Sequence, residues 1–219
     1  MNITEIIDFS IPDIKMTQTA GRALDLMDNC KVANLPIVHN GLFVGIVSEE
    51  MLFEIPENDK IGGIHQMFGQ YVLMPSSSIF DCIQLFGQID SDIIAIVEKD
   101  LTYHGVVSKT GLVDALSSTI GLQTDGAVII LEMTPKDYSL SHISNIVEEN
   151  DCKIVTLLAN LDSKENTAEV FIKINSQNIS AILRSLERFD YTIKASFTND
   201  PFKEDLKLRY DEFIKYLNM

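Results

Sequence analysis

Two serines occupy the same position in a phrase that the chain repeats. The stretches GLFVGIVSEEML, from Gly41, and LTYHGVVSKTGL, from Leu101, align so that Ser48 matches Ser108, 60 positions later. A serine hydroxyl both donates and accepts hydrogen bonds. Each serine can therefore cap the helix that follows it or contact a bound ligand.

The sequence lacks the common signatures of catalysis. It contains no G-x-S-x-G, no Walker A loop and no H-E-x-x-H. The four histidines are scattered, and none shares metal-ligand spacing with a cysteine or another histidine. We therefore expect no enzyme activity, no resident cofactor and no metal; an enzyme with an unfamiliar active site is the alternative. The histidines are His39, His65, His104 and His142.

Composition limits the partners. The chain has 32 acidic and 17 basic residues, a formal net charge of −15, whereas binding to a phosphate backbone needs clustered Lys and Arg. The N-terminus MNITEIIDFS lacks the basic and apolar regions of a secretory signal, and no stretch approaches 18 consecutive apolar residues. The three cysteines lie far apart and outside any C-x-x-C, as in a reducing compartment. We expect a cytoplasmic protein that binds neither nucleic acid nor membrane.

Each serine lies at the end of a similar run of elements. In the first run, a helix capped by Thr19 precedes the strands NLPIV and LFVGIV, which the hairpin signal Asn40-Gly41 joins. In the second, the helix in PSSSIFDCIQLFGQI precedes the strands DIIAIV and YHGVV. A helix follows each serine. Two helix-strand-strand-helix units, at about 1–60 and 61–122, are expected to pack together because neither buries its apolar faces alone.

The pattern LPIV, NG, VGIVS, ML resembles a CBS domain, and two copies in tandem resemble the CBS pair, or Bateman module, over residues 1–122. The resemblance implies a regulatory module that holds an adenosine-containing ligand, such as an adenosine nucleotide, in clefts between the repeats. It also implies that the hydroxyl after the second strand approaches phosphate or ribose, and that an Asp three residues later binds the ribose hydroxyls. The corresponding positions here are Ser48 with Met51, and Ser108 with Gly111.

The expected Asp is therefore replaced in both repeats. A thioether accepts hydrogen bonds weakly and glycine has no side chain, so a bound ribose would lose its partner at a cost of roughly 1–3 kcal/mol. Glu49 and Glu50 are close in sequence, but the helical step of about 100° per residue is expected to point them elsewhere. Two readings stay open: ligand-binding clefts, or degenerate clefts whose serines only cap helices.

The stretch after the linker STIGLQTDG (residues 118–126) predicts the order β-α-β-β-α-β over residues 125–198, a ferredoxin-like unit. The fold class is thus α+β. Helices should cover one face of the sheet, so the other face needs a partner, and we expect a homodimer. The order resembles an ACT domain, which implies an amino acid or small anion bound at the turn in MTPKDYSL, or dimerisation without sensing. The candidate residues of this turn are Thr134, Pro135, Tyr138 and Ser139.

The succession of a CBS pair and an ACT-like domain resembles the acetoin-utilisation accessory family. Residues 199–219 predict an amphipathic C-terminal helix with the apolar stripe Leu206, Tyr210, Phe213 and Leu217, which would dock on the CBS pair or on a partner subunit. Together these patterns predict a cytoplasmic regulatory protein that senses a ligand and acts on a partner protein. The alternative is a ligand-independent dimeric interaction or scaffold protein.

Overall fold

The computed structural model describes residues 2–121 and 123–198. They fall into two compact units that divide between Thr119 and Ile120. The predicted C-terminal helix at 199–219 lies outside the described residues. None of the helices within the described ranges is both long and apolar enough to cross a membrane.

The first repeat follows its local sequence signals. The Thr19 hydroxyl accepts a hydrogen bond from the Arg22 N–H and starts the first helix, which ends where Lys31 adopts a left-handed conformation. Asn40 and Gly41, at φ of 52° and 80°, form the predicted hairpin turn. The elements are α1 (Ala20–Cys30), β1 (Asn34–His39), β2 (Leu42–Ser48) and α2 (Glu49–Phe53).

The second repeat has the same order, preceded by a two-residue strand that the sequence did not predict. Ser78 and Asp81 form a capping box at the start of its first helix. This two-residue strand pairs in parallel with the strand Ile93–Val97, which follows the helix. In the first repeat, a single parallel bridge between Ile14 and Ile37 occupies the equivalent position. The elements are β3 (Val72–Leu73), α3 (Ile79–Phe86), β4 (Ile93–Val97), β5 (Tyr103–Ser108) and α4 (Lys109–Thr119).

The two repeats interlock through their leading segments. The segment before the first repeat crosses the second, where the Asp8 N–H donates to the Val106 carbonyl at 2.8 Å. The segment before the second repeat crosses the first, where Gly69 and Ile46 exchange two backbone hydrogen bonds of 2.8 Å. Each repeat therefore covers part of the other, as expected for units that cannot bury their apolar faces alone.

The repeated glycine of the phrase makes these crossings possible. A Cβ on Gly45 would collide with the side chain of Phe68, and a Cβ on Gly105 with that of Ile7. Glycine is needed because the crossing segment lies directly on the strand.

The second unit has the predicted element order. Its four strands form an antiparallel sheet in the order β7-β8-β6-β9, and a buried cluster that includes Ile143, Val147, Ile182 and Leu186 packs two helices against one face. The elements are β6 (Val128–Met133), α5 (Leu140–Glu148), β7 (Ile154–Asp162), β8 (Thr167–Ile174), α6 (Ser180–Arg188) and β9 (Thr192–Phe197).

Candidate functional site

A cavity of about 340 Å³ lies between the two repeats of the first unit, at the start of α2. One wall comes from the first repeat and includes Ser48 and Met51. The opposite wall comes from the turn before β4, residues 90–92. The structure thus brings the first predicted pair, Ser48 and Met51, to a cavity that both repeats line. The lining residues are Ala33, Asn34, Ile46, Ser48, Glu49, Glu50, Met51, Tyr71, Asp90, Ser91 and Asp92.

Ser48 caps α2 and retains an unused donor. Its hydroxyl oxygen accepts a hydrogen bond of 3.3 Å from the Met51 N–H. Within the described part of the chain, the hydroxyl donates to no protein group. Ser48 therefore caps a helix and can still donate a hydrogen bond to a ligand.

Acidic residues line the same cavity as this serine, contrary to the expectation from helical geometry. Glu49 and Glu50 both line the cavity. The rotation of about 100° per residue separates them, but the helix has only five residues and starts at the cavity, so its first turn forms part of the mouth. Asp90 and Asp92, from the second repeat, line the same cavity. They are far from Ser48 in sequence, so the sequence alone did not predict that they would lie near it.

Two buried polar residues complete the wall. Asn34 is 5% exposed, and its Oδ1 accepts the Asp92 N–H at 2.8 Å. Its Nδ2 donates to no other described residue, and Asn34 lines the cavity. Ser91 is fully engaged, since its hydroxyl donates to the Ile93 carbonyl and accepts the Ile93 N–H.

Ser108 has a different environment. It is 7% exposed, accepts the Gly111 N–H at 3.1 Å and donates to Oδ2 of Asp8, also at 3.1 Å. A neighbouring hollow of about 460 Å³ is lined by Gly111, Asp8 and Asp114, among others, and Ser108 does not line it. The hydroxyl donor of Ser108 therefore has an acceptor in Asp8, whereas that of Ser48 has none among the described residues.

Asp8 supplies a carboxylate that no local pattern predicts. Hydrogen bonds from Ser10, with a further one from Ser108, hold the pKa of the Asp8 carboxyl below its usual value of 3.8, against the opposing effect of partial burial. The contact joins residues 100 positions apart, so only the crossing of the N-terminal segment over β5 brings them together.

In the second unit, only one of the four predicted binding residues of the turn lines a cavity. Thr134 lines a cavity of about 670 Å³ at one end of the sheet, whereas Pro135, Tyr138 and Ser139 do not line it. Ser139 caps α5 by accepting the His142 N–H at 3.3 Å. Tyr138 packs against the buried cluster of this unit.

The other walls of this cavity come from residues that sequence reasoning did not select. His142 Nδ1 and the Tyr191 hydroxyl are 3.0 Å apart, and the His142 ring meets Phe189 edge-on at 4.9 Å. Burial raises the pKa of the Tyr191 hydroxyl, and the nearby Asp137 carboxylate raises it further. Over residues 2–121 and 123–198, no group of three or more His, Cys, Asp or Glu side chains could hold a metal ion.

One family model matches the first part of the chain. The model of the CBS domain matches residues 5–58, about a quarter of the chain. Comparison with curated proteins gave no match.

Three solved structures illustrate the structural likeness. A CBS domain pair/ACT domain protein from Thermotoga maritima is 18% identical, with a TM-score of 0.49 over 54% of this chain and 98% of that chain. A putative acetoin utilization protein (AcuB) from Vibrio cholerae is 17% identical, with a TM-score of 0.49 over 56% of this chain and 95% of that chain. CBSX2 from Arabidopsis thaliana, in complex with AMP, is 17% identical, with a TM-score of 0.47 over 53% of this chain and 96% of that chain. Of the resemblances drawn from the sequence, the match of the family model establishes one: residues 5–58 form a CBS domain.

Proposed function

We propose that this protein is a cytoplasmic, non-enzymatic regulator that senses an adenosine-type ligand in the cavity beside Ser48. The observation that carries the proposal is the unused hydroxyl donor of Ser48 on the wall of that cavity, inside the segment that matches the CBS domain. Ser108, the equivalent residue, already donates to Asp8, so the proposal is specific to the first cavity.

The position of the cavity supports a regulatory role. Its walls come from both repeats, so a ligand there would contact both and stabilise one arrangement of them. A ligand shifts a conformational equilibrium only by its difference in affinity for the two states. A partner protein that reads this arrangement would respond to the ligand.

The test is a thermal-shift titration of the full chain with adenosine, AMP, ADP, ATP and S-adenosylmethionine. A ligand at 100 times its dissociation constant adds about 2.7 kcal/mol, which raises Tm by a few degrees. We expect Ser48→Ala to weaken binding about 2- to 12-fold, as the loss of one neutral hydrogen bond implies.

The matched control is Ser78→Ala. It also removes a helix cap, with the same 3.3 Å bond to a backbone N–H, but Ser78 does not line the cavity. Both variants should lower Tm without ligand, and only Ser48→Ala should lower affinity. No shift with any of the five compounds would contradict the proposal and favour the ligand-independent scaffold.

For the second unit, we propose an ACT-like domain that takes an amino acid or a small anion. Its β-α-β-β-α-β order and the cavity beside Thr134 support this. Together with the CBS domain, that order is our reason for proposing kinship with the acetoin-utilisation accessory family. The common amino acids, added to the same titration, test it: a shift that Thr134→Val removes would support the proposal, and no shift would leave dimerisation as the role of this unit.

We also propose that the chain forms a homodimer through the sheet face opposite α5 and α6. Strand register places Leu158 and Phe197 on that face, and they are 52% and 60% exposed. Light scattering should give twice the mass of one chain. Leu158→Glu should halve it, whereas Leu161→Glu, which changes a similarly exposed leucine opposite the buried Ala168, should not.

A further inference from the structure

We infer that the cavity beside Ser48 excludes phosphorylated compounds and takes a neutral or positively charged ligand that presents hydrogen-bond acceptors. This inference rests on the proposed function, because it names the charge class of the ligand at the same site. It comes from the charges and donors on the cavity wall.

The wall of the cavity is acidic. Four of its lining residues are carboxylates, and none of the lining residues is Lys, Arg or His. Within the described residues, one of these carboxylates has an ion pair: Lys109 Nζ lies 3.6 Å from Oδ1 of Asp92. That pairing offsets one carboxylate and leaves Glu49, Glu50 and Asp90 without an ion pair in the described residues.

The start of α2 offers no compensating attraction for a phosphate. The N-terminus of a helix favours a negative charge, but here Glu49 and Glu50 in the first turn already supply it. The second repeat differs, since its helix begins with Lys109 and Thr110. A phosphate beside Ser48 would therefore meet like charges at the position where a helix N-terminus could otherwise bind it.

The donors on the wall show what the cavity can hold. Asn34 lines the cavity and is 5% exposed, and its Oδ1 accepts the Asp92 N–H, so its Nδ2, which has no partner among the described residues, can donate to an occupant. The Ser48 hydroxyl offers another. Donors next to carboxylates suit a ligand that combines neutral acceptors, such as ring nitrogens or ribose oxygens, with hydroxyl, amino or cationic groups.

The carboxylates also offer a replacement for the Asp that Met51 displaces. A carboxylate accepts hydrogen bonds from hydroxyl groups, and four of them line the same cavity. We therefore assign the acidic wall to recognition of hydroxyl groups on the ligand.

The experiment is equilibrium binding of adenosine, S-adenosylmethionine, AMP and ATP to the full chain. EDTA is present so that no divalent cation bridges phosphate and carboxylate. At about 20 mM salt we expect adenosine and S-adenosylmethionine to bind at least about 10-fold more tightly than AMP, with ATP weaker still. The difference between adenosine and AMP should shrink at about 300 mM salt, because salt screens exposed charges.

A double variant, Glu49→Gln with Glu50→Gln, tests the cause. It should raise the affinity for AMP at low salt by roughly 10-fold relative to the affinity for adenosine. The control is Glu148→Gln with Glu149→Gln, which changes the net charge equally at residues that do not line the cavity.

The outcomes separate this inference from the proposed function. AMP or ATP binding as tightly as adenosine would overturn the inference and leave the proposed function standing. An equal gain for AMP in both double variants would also overturn it, because net charge would then explain the effect. If none of the four probes binds, both the proposed function and the inference are wrong.

Discussion

Ser48 and Ser108 occupy equivalent positions and have different partners. Ser108 donates to Asp8, whereas the donor of Ser48 is unused within the described residues. Both accept the N–H three residues later. Helix capping is thus common to the two copies of the phrase, and the difference in function that we propose depends on one hydrogen bond.

The Asp8 carboxylate should make stability depend on pH. Because its pKa in the folded state is lowered, its contribution is fully present above the unfolded value and is lost as pH falls through the folded value. We expect Asp8→Asn to cost about 1 kcal/mol at pH 7 and to unfold with a weaker dependence on acid than the parent chain. Urea unfolding between about pH 6 and pH 3 measures both effects.

Asp28→Asn is the control, since Asp28 forms an exposed pair with Lys31 and such pairs contribute little. The prediction is wrong if Asp8→Asn and the parent chain lose stability in parallel as the pH falls.

The cysteines should differ in reactivity. Burial raises the pKa of the Cys82 thiol to about 11, and the residue is 0% exposed, whereas Cys30 is partly exposed. Alkylation requires the thiolate, so at about pH 8 Cys30 should be labelled well before Cys82. Mass spectrometry of iodoacetamide-treated protein gives the order. In urea the difference should vanish; equal labelling of the two in the folded protein would contradict the prediction.

At the scale of elements, the crossings of the leading segments hold the two repeats together. Gly105 has φ of +142°, and a Cβ there would collide with Ile7. We expect Gly105→Ala to lower the free energy of unfolding by about 1–3 kcal/mol from overpacking, with an added cost from the backbone conformation. Urea unfolding measures the change.

Gly63→Ala is the matched control for this substitution. It lies in the 3₁₀ helix Ile61–Met67, and its added Cβ would meet no atom within 4 Å. We expect a change within about 0.5 kcal/mol. Equal losses in the two variants would mean that the crossing at Gly105 tolerates a side chain.

Element order was predictable where local chemistry sets it. Asn40-Gly41 forms its hairpin turn, and Thr19 and Ser78 cap their helices, because these effects act over two to four residues. The strand Val72–Leu73 was missed because two residues show no periodicity, and its pairing with Ala95 and Ile96 stabilises it from a distance.

At the scale of the whole molecule, excess negative charge is the dominant property. With a formal net charge of −15, self-repulsion opposes folding at low ionic strength. We expect Tm to rise by a few degrees as NaCl increases from about 0.01 M to about 0.3 M, and to change little above that, because the Debye length falls from about 30 Å to less than 10 Å.

The shape of the salt dependence identifies its cause. A gain that levels off indicates charge screening, whereas a steady rise above about 0.5 M would indicate a general salting-out effect. A fall in Tm over the low range would mean that attractive ion pairs outweigh the net repulsion.

The sequence alone determined the features that depend on near neighbours. These are the doubled helix-strand-strand-helix order, the capping of helices by Ser48 and Ser108, and the β-α-β-β-α-β order of the second unit. Periodicity, capping and turn chemistry act within a few residues, so they can be read along the chain.

Only the tertiary structure decided which groups surround each serine. Asp8 reaches Ser108 across 100 positions, and Asp90 and Asp92 join Glu49 and Glu50 around one cavity. The sequence shows that Asp is absent at positions 51 and 111, but a carboxylate can come from any segment that crosses the site. Because the crossing of segments depends on packing between the repeats, the surroundings of Ser48 emerge only when the chain is folded.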